Sequence, residues 1–532
     1  MRPKHTIACV CFALLALIFT ACGDIPAAVT GGTSAESTAS AEPFVCPHTV
    51  IIESGQCLKC LNYFGKLGDN IDWTFTWSDC ALTLTGSGDM TAPFSNDAVR
   101  KRARKIVIGE GITSIAERAL CDFSQVTTVQ LPEGVTSIGE DAFCGCRALT
   151  EIKLPSSLRT VGSSAFYMAP LTELELPEGI TDIEQLAFAY TALTTLRLPG
   201  SLRTVGDMAF YCAPLTELEL PERLTDIGNN AFAGASFTEI YIPANVTALG
   251  IDALQSNALL RYTVSPDNPA YSADADGVLF DKAGKTLVAF PCGREGHYAV
   301  PEGIERIGES AFYESRLTAV TLPSSLTEIG ENAFAYCMSL ADIRFGGNVT
   351  QCSWSSFDRT PWEEAQAKLS AENGDGIYVD KVLLHFYHAN EVFTVREGTV
   401  RIAALASIHS DSEAMKTLVL PDSLRHIDDG AFYICYNLQN VTLPEGLLTI
   451  GHAAFANSTA LVEIRIPESV TSVSTEAFRG CPALTRVIFD STDCEIGQWA
   501  FLYDDKVTLY GTADSTAARY AAENEIPFAE IK

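Results

Sequence analysis

Four cysteines near the N-terminus have residue types and a spacing that suit either metal binding or disulfide formation. They are Cys46, Cys57, Cys60 and Cys80. Cys57 and Cys60 lie three positions apart, and four thiolates are enough for a tetrahedral zinc site. In an exported protein the same cysteines favour disulfides, because the environment outside the cell is oxidising. Four cysteines allow three pairings, and the sequence does not choose among them. We predict disulfides rather than a zinc site and leave the pairing open.

Another cysteine, Cys22, follows a hydrophobic segment at the start of the chain. Met1-Arg-Pro-Lys4 is a short basic region, and Thr6 to Phe19 is a nearly unbroken apolar run of signal-peptide length. This run is too short for a comfortable transmembrane helix. Phe19-Thr-Ala-Cys22 resembles the bacterial lipobox, in which the cysteine is acylated and becomes the first mature residue. We predict a lipoprotein signal peptide over residues 1–21 and lipid attachment at Cys22. The alternative is an ordinary signal peptide with an incidental Cys22.

Histidine and aspartate groups elsewhere in the chain do not match metal or catalytic motifs. His385 and His388 lack the spacing and the glutamate of a zinc-hydrolase helix. Asp274, Asp276 and Asp281 suggest a calcium loop, but their order departs from the EF-hand pattern, and Asp-Gly favours a hairpin turn. No G-x-S-x-G or H-E-x-x-H motif occurs. The sequence therefore predicts no enzyme, no cofactor and no metal site.

The composition indicates a folded, acidic protein. Hydrophobic residues make up 47% of the 532 residues, charged residues make up 19%, and the formal net charge is −30. A surface this negative repels nucleic acid and anionic lipid headgroups. We therefore predict no nucleic-acid partner, and contact with the membrane only through the N-terminal lipid. Residues 22–43 are mostly Ala, Ser, Thr and Gly, which predicts a flexible tether.

An internal repeat marked by the dipeptide Ala-Phe dominates the rest of the chain. Its spacing within unbroken blocks is 22 or 23 residues, which lies in the range of leucine-rich repeats. A Leu-x-Leu segment makes one face of a short strand apolar, and the proline after it ends the strand. Ala-Phe places a small and a large side chain inside, where stacked phenylalanines fill a continuous core. The fourteen in-frame copies begin at residues 142, 165, 187, 209, 231, 311, 333, 431, 454, 477 and 500, and in degenerate form at 119, 253 and 356.

These features predict a β-rich repeat solenoid, a right-handed leucine-rich-repeat coil over residues 106–510. A parallel sheet is expected on the concave face, with short strands or helical turns on the other face. Residues 44–105 are expected to form a β-rich capping module, and residues 511–532 a C-terminal cap. The end coils need such caps, because an element with a polar outer face must cover their apolar side.

Two interruptions of the repeat read as β-hairpins inserted into the stack. They cover residues 259–300 and 374–397, approximately. A short helix that begins at Pro361 is expected before the second interruption.

The repeat resembles that of the BspA-like leucine-rich-repeat family of bacterial surface proteins, over about residues 50–532. Members of that family are exported and attached to the cell surface, and some are implicated in adhesion to host proteins or to other cells. The resemblance contributes no catalytic motif. It extends beyond the Ala-Phe frame to the N-terminal module, with Trp73-Thr-Phe-Thr and Leu82-Thr-Leu-Thr, and to the terminal cap, with Val507-Thr-Leu-Tyr-Gly511.

The exposed side of the Leu-x-Leu strands is the candidate binding face. Adjacent strands lie about 4.8 Å apart, so Lys153, Glu175, Arg197 and Glu219 are expected to form a ladder of alternating charge. We interpret it as part of an acidic-rimmed recognition strip that meets a basic patch on a partner. The alternative is weak cross-strand pairing that only keeps the sheet soluble. The predicted strip consists of Glu151, Lys153, Glu173, Glu175, Arg197, Glu217, Glu219, Glu239 and Tyr241.

Together these features predict an exported, lipid-anchored protein of the bacterial cell surface. We expect it to bind an extracellular protein or glycan through the faces of the solenoid. One alternative is a structural or spacer lipoprotein of the envelope without a specific ligand. Another is an enzyme whose site lies in the hairpins or in the N-terminal module.

Overall fold

The computed structural model describes residues 62–67, 69–387, 390–408 and 414–531. Within these residues the chain is a β-solenoid with parallel sheets and little helix, which confirms the predicted fold class. The predicted signal peptide, the tether, Cys22, Cys46, Cys57, Cys60 and His388 lie outside the described residues, and the statements about them stay predictions.

Each coil crosses two parallel sheets, which we call the first face and the second face. The first face carries the Leu-x-Leu segments. Its strands are β1 (Tyr63–Lys66), β2 (Ile71–Thr76), β3 (Ala81–Gly86), β5 (Lys105–Ile108), β7 (Thr128–Gln130), β10 (Glu173–Glu175), β12 (Thr195–Arg197), β15 (Glu239–Ile242), β17 (Arg261–Val264), β21 (Glu295–Ala299), β23 (Arg316–Thr321), β25 (Asp342–Arg344), β29 (Val392–Thr394), β31 (Thr417–Val419), β33 (Asn440–Val441), β35 (Glu463–Ile466), β37 (Arg486–Phe489), β39 (Thr508–Gly511) and β40 (Phe528–Glu530).

The second face consists mostly of two-residue strands, which fits the prediction of short strands there. Its strands are β4 (Gly88–Asp89), β6 (Ile112–Ile115), β8 (Ser137–Ile138), β9 (Thr160–Val161), β11 (Asp182–Ile183), β13 (Thr204–Val205), β14 (Asp226–Ile227), β16 (Ala248–Leu249), β18 (Tyr271–Ala273), β19 (Leu279–Asp281), β20 (Thr286–Ala289), β22 (Arg306–Ile307), β24 (Glu328–Ile329), β26 (Gln351–Cys352), β27 (Gly376–Val379), β28 (Val382–Phe386), β30 (Arg401–Ile402), β32 (His426–Ile427), β34 (Thr449–Ile450), β36 (Ser472–Val473) and β38 (Glu495–Ile496).

The described helices are α1 (Asp97–Arg100), α2 (Pro361–Asn373) and α3 (Thr516–Glu523). Helix α2 begins at the predicted proline, and the side chain of Thr360 caps its first turn. None of the three has the length and apolar character that a membrane crossing requires.

The phenylalanines of the Ala-Phe frame form the core of the stack. The rings of Phe166, Phe188 and Phe210 are fully buried, and consecutive centroids lie 5.3 Å apart with ring planes within 7° of parallel. This spacing is close to the distance between neighbouring strands. Each coil therefore contributes one ring to a continuous column, and a coil alone has nothing to pack that ring against.

A backbone hydrogen-bond ladder joins neighbouring coils at the Ala-Phe turn, and we call it the turn ladder. In most regular coils, three amides donate to carbonyls of the next coil: those of the residue before Ala-Phe, of the phenylalanine, and of the residue two positions after it. The outer two positions are left-handed, with φ of 58° at Leu186 and 57° at Tyr190. In this coil the amides of Leu186, Phe188 and Tyr190 donate to the carbonyls of Asp207, Ala209 and Tyr211 at 3.1, 2.8 and 2.8 Å.

The two insertions join the second face and divide the core. In the first, β18, β19 and β20 pair antiparallel, and β20 then pairs parallel with β22. In the second, β27 and β28 pair antiparallel, and β28 then pairs parallel with β30. The buried apolar residues accordingly fall into three clusters, which meet near residues 278–279 and 383–403.

Both ends of the stack are covered by other elements. At the N-terminal end β1, β2 and β3 pair antiparallel, and β3 continues parallel into β5 of the first regular coil. At the C-terminal end the side chain of Ser515 caps α3, and the hydroxyl of Tyr520 accepts a hydrogen bond from the amide of Ala500 at 3.1 Å. Tyr520 thus ties helix α3 to the last Ala-Phe turn of the stack.

Candidate binding face

The residues of the predicted strip lie on the outer side of the first face. All nine side chains are exposed, and Tyr241 keeps 47% of its surface open to solvent. The residues between them, such as Leu174 and Leu196, are buried. The alternation of the sequence therefore places the charges outside and the leucines inside, as strand geometry requires.

The strands beneath the strip are not continuous. Glu173 and Glu175 of β10 align with Thr195 and Arg197 of β12. The neighbouring segments that carry Lys153 and Glu219 do not form strands. At each of those two coil boundaries a single backbone hydrogen bond between described residues remains on this face. The amide of Thr172 donates to the carbonyl of Thr150 at 3.1 Å, and the amide of Thr216 donates to the carbonyl of Thr194 at 3.4 Å. The expected four-residue charge ladder is thus reduced to one aligned pair, Glu175 and Arg197.

The charges of the strip do not pair with each other. In the described part of the chain, no ion pair joins any two of its charged side chains. On the same face nearer the C-terminus, aligned charges do pair, since Arg486 Nη1 lies 3.4 Å from Glu463 Oε2. Glu175 and Arg197 have the same alignment without the contact. The strip therefore presents charges that a partner can engage without breaking an existing pair.

Four cysteines of the repeat stand three residues after an in-frame phenylalanine, and all are fully buried: Cys146, Cys337, Cys435 and Cys481. The Cys146 and Cys481 thiols donate to the carbonyls of Leu120 and Phe455, each at 3.4 Å. The Cys337 thiol donates to Phe312 O at 2.9 Å. Burial raises the pKa of Cys146 and Cys481 to about 12 and that of Cys337 to about 11.

We expect these buried thiols to resist alkylation in the folded protein. The thiolate is the reactive form, and a raised pKa together with burial keeps it scarce. Treatment with N-ethylmaleimide at neutral pH, followed by peptide mass spectrometry, is expected to leave Cys146, Cys337 and Cys481 unmodified until denaturant is added. Rapid labelling of these sites in the native protein would show that the coils open far more readily than their packing indicates.

Of the candidate N-terminal disulfide cysteines, only Cys80 is described. It lies in the turn between β2 and β3, and its thiol is 3.7 Å from the carbonyl of Trp77. The pairing of Cys46, Cys57, Cys60 and Cys80 stays a prediction.

His385 lies in the interior of the second insertion. It is 1% exposed on β28, and its Nε2 lies 2.9 Å from the carbonyl oxygen of Trp354 and 3.8 Å from Glu363 Oε1 of α2. Burial, followed by the charge of Asp358, raises the pKa of Glu363 to about 7. The histidine thus links the hairpin to the helix that precedes it.

The aspartates of the first insertion hold turns. Asp274 Oδ1 accepts from the amide of Val278 at 2.9 Å, and Asp281 Oδ1 accepts from the amide of Lys285 at 2.7 Å. Asp276 pairs with Arg294 at 3.0 Å. Across the residues that the structure describes, no group of three or more His, Cys, Asp or Glu side chains is arranged to hold a metal ion.

The structure also shows a feature that no sequence motif pointed to. A cavity of about 230 Å³ opens where the first insertion meets the regular coils, and Asp252 and Gln255 line it. The only signal in the sequence is that the Ala253-Leu254 copy is degenerate and stands directly before the insertion.

Comparisons with solved structures find other leucine-rich-repeat proteins. A leucine rich cell surface protein from Faecalibacterium prausnitzii A2-165 is 23% identical, with 80% of this chain and 94% of that chain covered and a TM-score of 0.38. The pneumococcal vaccine antigen PcpA is 17% identical, with coverage of 88% and 98% and a TM-score of 0.37. A leucine-rich repeat protein from Eubacterium ventriosum ATCC 27560 is 20% identical, with coverage of 83% and 95% and a TM-score of 0.33. No curated protein matches this chain.

The family model described as BspA type leucine rich repeat region matches four segments, of which the first two overlap. They are residues 99–211, 137–261, 296–373 and 406–513. These segments cover more than half of the chain and coincide with the stacked coils that carry the Ala-Phe frame. The protein therefore belongs to the BspA-type leucine-rich-repeat family.

Proposed function

We propose that this protein is a non-catalytic adhesin of the bacterial cell surface that recognises an extracellular protein or glycan through its first face. The family supports a binding role, because stacked repeats present extended surfaces that such proteins use for recognition. We propose further that the signal peptide and Cys22 attach the protein to the membrane by lipid. The strip then stands on the part of the chain that faces the surroundings of the cell.

The observation that carries the proposal is the set of exposed, unpaired charges on the strip. Glu173, Glu175, Glu217 and Glu219 project from neighbouring coils, and none of them forms an ion pair within the described residues. Exposed charges at an interface guide the approach of the partner and fix how the two molecules align in the complex. An acidic strip selects a basic patch on the partner and disfavours acidic partners.

We expect charge reversal of the strip to weaken binding strongly. A variant that carries lysine at positions 173, 175, 217 and 219 is expected to lose affinity for its macromolecular partner by about tenfold or more, because attraction becomes repulsion. The measurement is biolayer interferometry of the full chain against a panel of matrix proteins, glycans and co-resident cells. For the wild-type protein, binding is expected to weaken as salt increases.

A matched control reverses four other exposed glutamates that lie outside the strip: Glu117, Glu140, Glu184 and Glu222. It changes the net charge by the same amount, so only a change specific to the strip variant supports the proposal. Binding that survives strip reversal and is lost on changes to β18 and β19 would move the site to the hairpin. A panel without any binding would favour the spacer alternative.

A further inference from the structure

Within the described residues the turn ladder is interrupted beside each of the two insertions, and the break beside the first insertion adjoins the cavity. In the preceding coil the amides of Asn230 and Phe232 donate to the carbonyls of Ile251 and Ala253 at 2.8 and 2.9 Å. The next amides in this pattern belong to Asp252 and Leu254, and neither forms a hydrogen bond within the described residues. The ladder resumes at Phe290, whose amide donates to Ala311 at 2.7 Å. Two backbone donors therefore point along the coil axis with no coil placed to accept them.

The cavity lies at this break. Most of its lining comes from three segments, within residues 249–255, 286–292 and 306–311. The side-chain nitrogen Nε2 of Gln255, one of the lining residues, is buried and has no hydrogen-bond partner beyond a weak interaction with the Cys292 thiol. A buried polar group left in this way costs about 1–3 kcal/mol unless a ligand or water satisfies it. Three of the lining residues, Asp252, Leu254 and Gln255, thus carry a donor without a strong acceptor, two on the backbone and one on a side chain.

Carboxyl groups supply acceptors at the same place. Asp252 and Glu309 line the cavity, and Glu314 lies near enough to act electrostatically on Asp252. Burial, followed by Glu314, raises the pKa of Asp252 to about 7, and burial raises the pKa of Glu309. Arg306, the one arginine of the lining, already contacts Glu328 at 3.4 Å. An anionic ligand would meet net repulsion here.

Aromatic rings stand on the same edge of the solenoid. Tyr313 follows the in-frame Phe312 and lies within electrostatic range of Asp252 and of Glu314. Its ring is 5.5 Å from that of Tyr336 on the next coil. Tyrosine offers an apolar ring face beside a polar tip, which suits ligands with both kinds of surface.

We propose that this cavity binds the ring of a neutral sugar. Hydroxyl groups both donate and accept hydrogen bonds, so one sugar can accept from the amides of Asp252 and Leu254 and from Gln255 while it donates to the carboxyl groups. Its lack of charge is compatible with the acidic surroundings. A cavity of about 230 Å³ is smaller than those that hold drug-sized ligands, which are roughly 300–1,000 Å³, and suits a single ring.

This inference adds a second site to the proposed adhesin and rests on that proposal only for the sugar's role in attachment. The cavity lies at the Ala-Phe turns and not on the strip. The strip can bind a macromolecule while the cavity stays empty, and the cavity can bind a sugar while the strip has no partner. The two experiments therefore fail independently.

The test is saturation-transfer NMR on the full chain. The probes are glucose, galactose, mannose and N-acetylglucosamine, compared with N-acetylneuraminic acid and glucose 6-sulfate. At least one neutral sugar is expected to give a signal, and the two anionic sugars are expected to give none. Gln255→Ala is expected to weaken the binding by about tenfold, because it removes one of the buried donors. Ala289→Leu, which adds bulk to another part of the lining, is expected to abolish the signal.

A control away from the cavity is Asp141→Asn, which lies at an Ala-Phe turn where the turn ladder is intact. It is expected to keep the sugar signal. Circular dichroism of each variant shows whether the coil stack is retained, and Gln255→Ala and Ala289→Leu alter different parts of the cavity. Silence of all four neutral sugars, preference for the anionic sugars, or an unchanged signal in folded Gln255→Ala and Ala289→Leu would each overturn the proposal.

Discussion

Replacing Phe188 by alanine is expected to lower the free energy of unfolding by about 3–5 kcal/mol. Phe188 is fully buried and stacks between Phe166 and Phe210, at 5.3 Å from each ring. Alanine removes the ring from the column and leaves a cavity that the neighbouring coils cannot close, because their backbones are tied together by the turn ladder. Urea-induced unfolding followed by circular dichroism measures the loss.

The effect is expected to be local, because each coil contacts only its neighbours. Hydrogen exchange of the amides of Phe166 and Phe188 is therefore expected to accelerate more than that of Phe478, which lies in another core cluster. The matched control is Phe188→Leu, since Leu120 and Leu254 occupy this position naturally. It is expected to cost about 1–2 kcal/mol. Equal losses for the alanine and leucine variants would show that the phenylalanine column does not hold the stack together.

The core is the part of the fold that the repeat makes predictable from sequence. Period, strand alternation and the Ala-Phe frame each identify interior positions, and Phe143, Phe188 and Phe478 are all fully buried. These patterns arise because one side chain per coil must occupy the same place in the stack. The same logic assigns the first-face charges to the exterior.

The backbone of the turns was not predictable, because it is imposed by stacking and not by local preference. The residue before Ala-Phe is left-handed in coil after coil, with φ of 58° at Leu186, 55° at Met208 and 59° at Glu476. This conformation costs a non-glycine residue roughly 1–2 kcal/mol, and none of these residue types signals it. Hydrogen bonds to the next coil compensate, and those bonds are invisible in a local sequence window.

A glycine of the repeat has a different role from the one its type suggests. Gly206 follows the second-face strand β13, and glycine at the end of a strand commonly marks a turn with a left-handed backbone. Its φ is not left-handed, but an added Cβ would lie 2.8 Å from the backbone nitrogen of Gln185 in the preceding coil. Close approach between coils, and not turn conformation, is what requires glycine there.

The candidate sites were predictable only in part, for a related reason. The alternation of apolar and polar residues in the Leu-x-Leu segments predicts that the strip residues are exposed. The number of aligned strands beneath them depends instead on how closely each pair of neighbouring coils approaches, which the alternation does not indicate. The cavity depends on a contact that is remote in sequence, the parallel pairing of β20 with β22. No residue type in Asp252 to Gln255 reveals that the turn ladder is interrupted after this coil.

A buried carboxyl in the last coil is the origin of the second large effect. Asp504 is 4% exposed, its Oδ1 accepts from the amide of Cys481 at 2.5 Å, and its Oδ2 is buried without a partner. Burial raises its pKa to about 7, although the hydrogen bond from Cys481 opposes the shift. The folded state therefore holds this proton more tightly than the unfolded chain, where the pKa is about 3.9. The contribution of this bound proton to the free energy of unfolding is complete below about pH 4 and is lost as the pH rises through about 7.

Asp504→Asn is therefore expected to stabilise the protein at pH 8 by about 1–3 kcal/mol, because asparagine keeps an acceptor for Cys481 and carries no charge into the core. Between pH 6 and pH 8 the wild type is expected to lose about 1.4 kcal/mol at Asp504, and the variant is expected to lack this part of the pH dependence.

Asp252 and Glu363, whose pKa values are also raised to about 7, contribute in the same direction in both proteins. His426 acts in the opposite direction, because burial lowers its pKa, so the comparison is made above pH 6. Thermal unfolding at both pH values measures the difference, with the exposed Asp514→Asn as control. If Asp504→Asn is as pH-sensitive as the wild type, or less stable at pH 8, Asp504 does not carry its proton in the folded state.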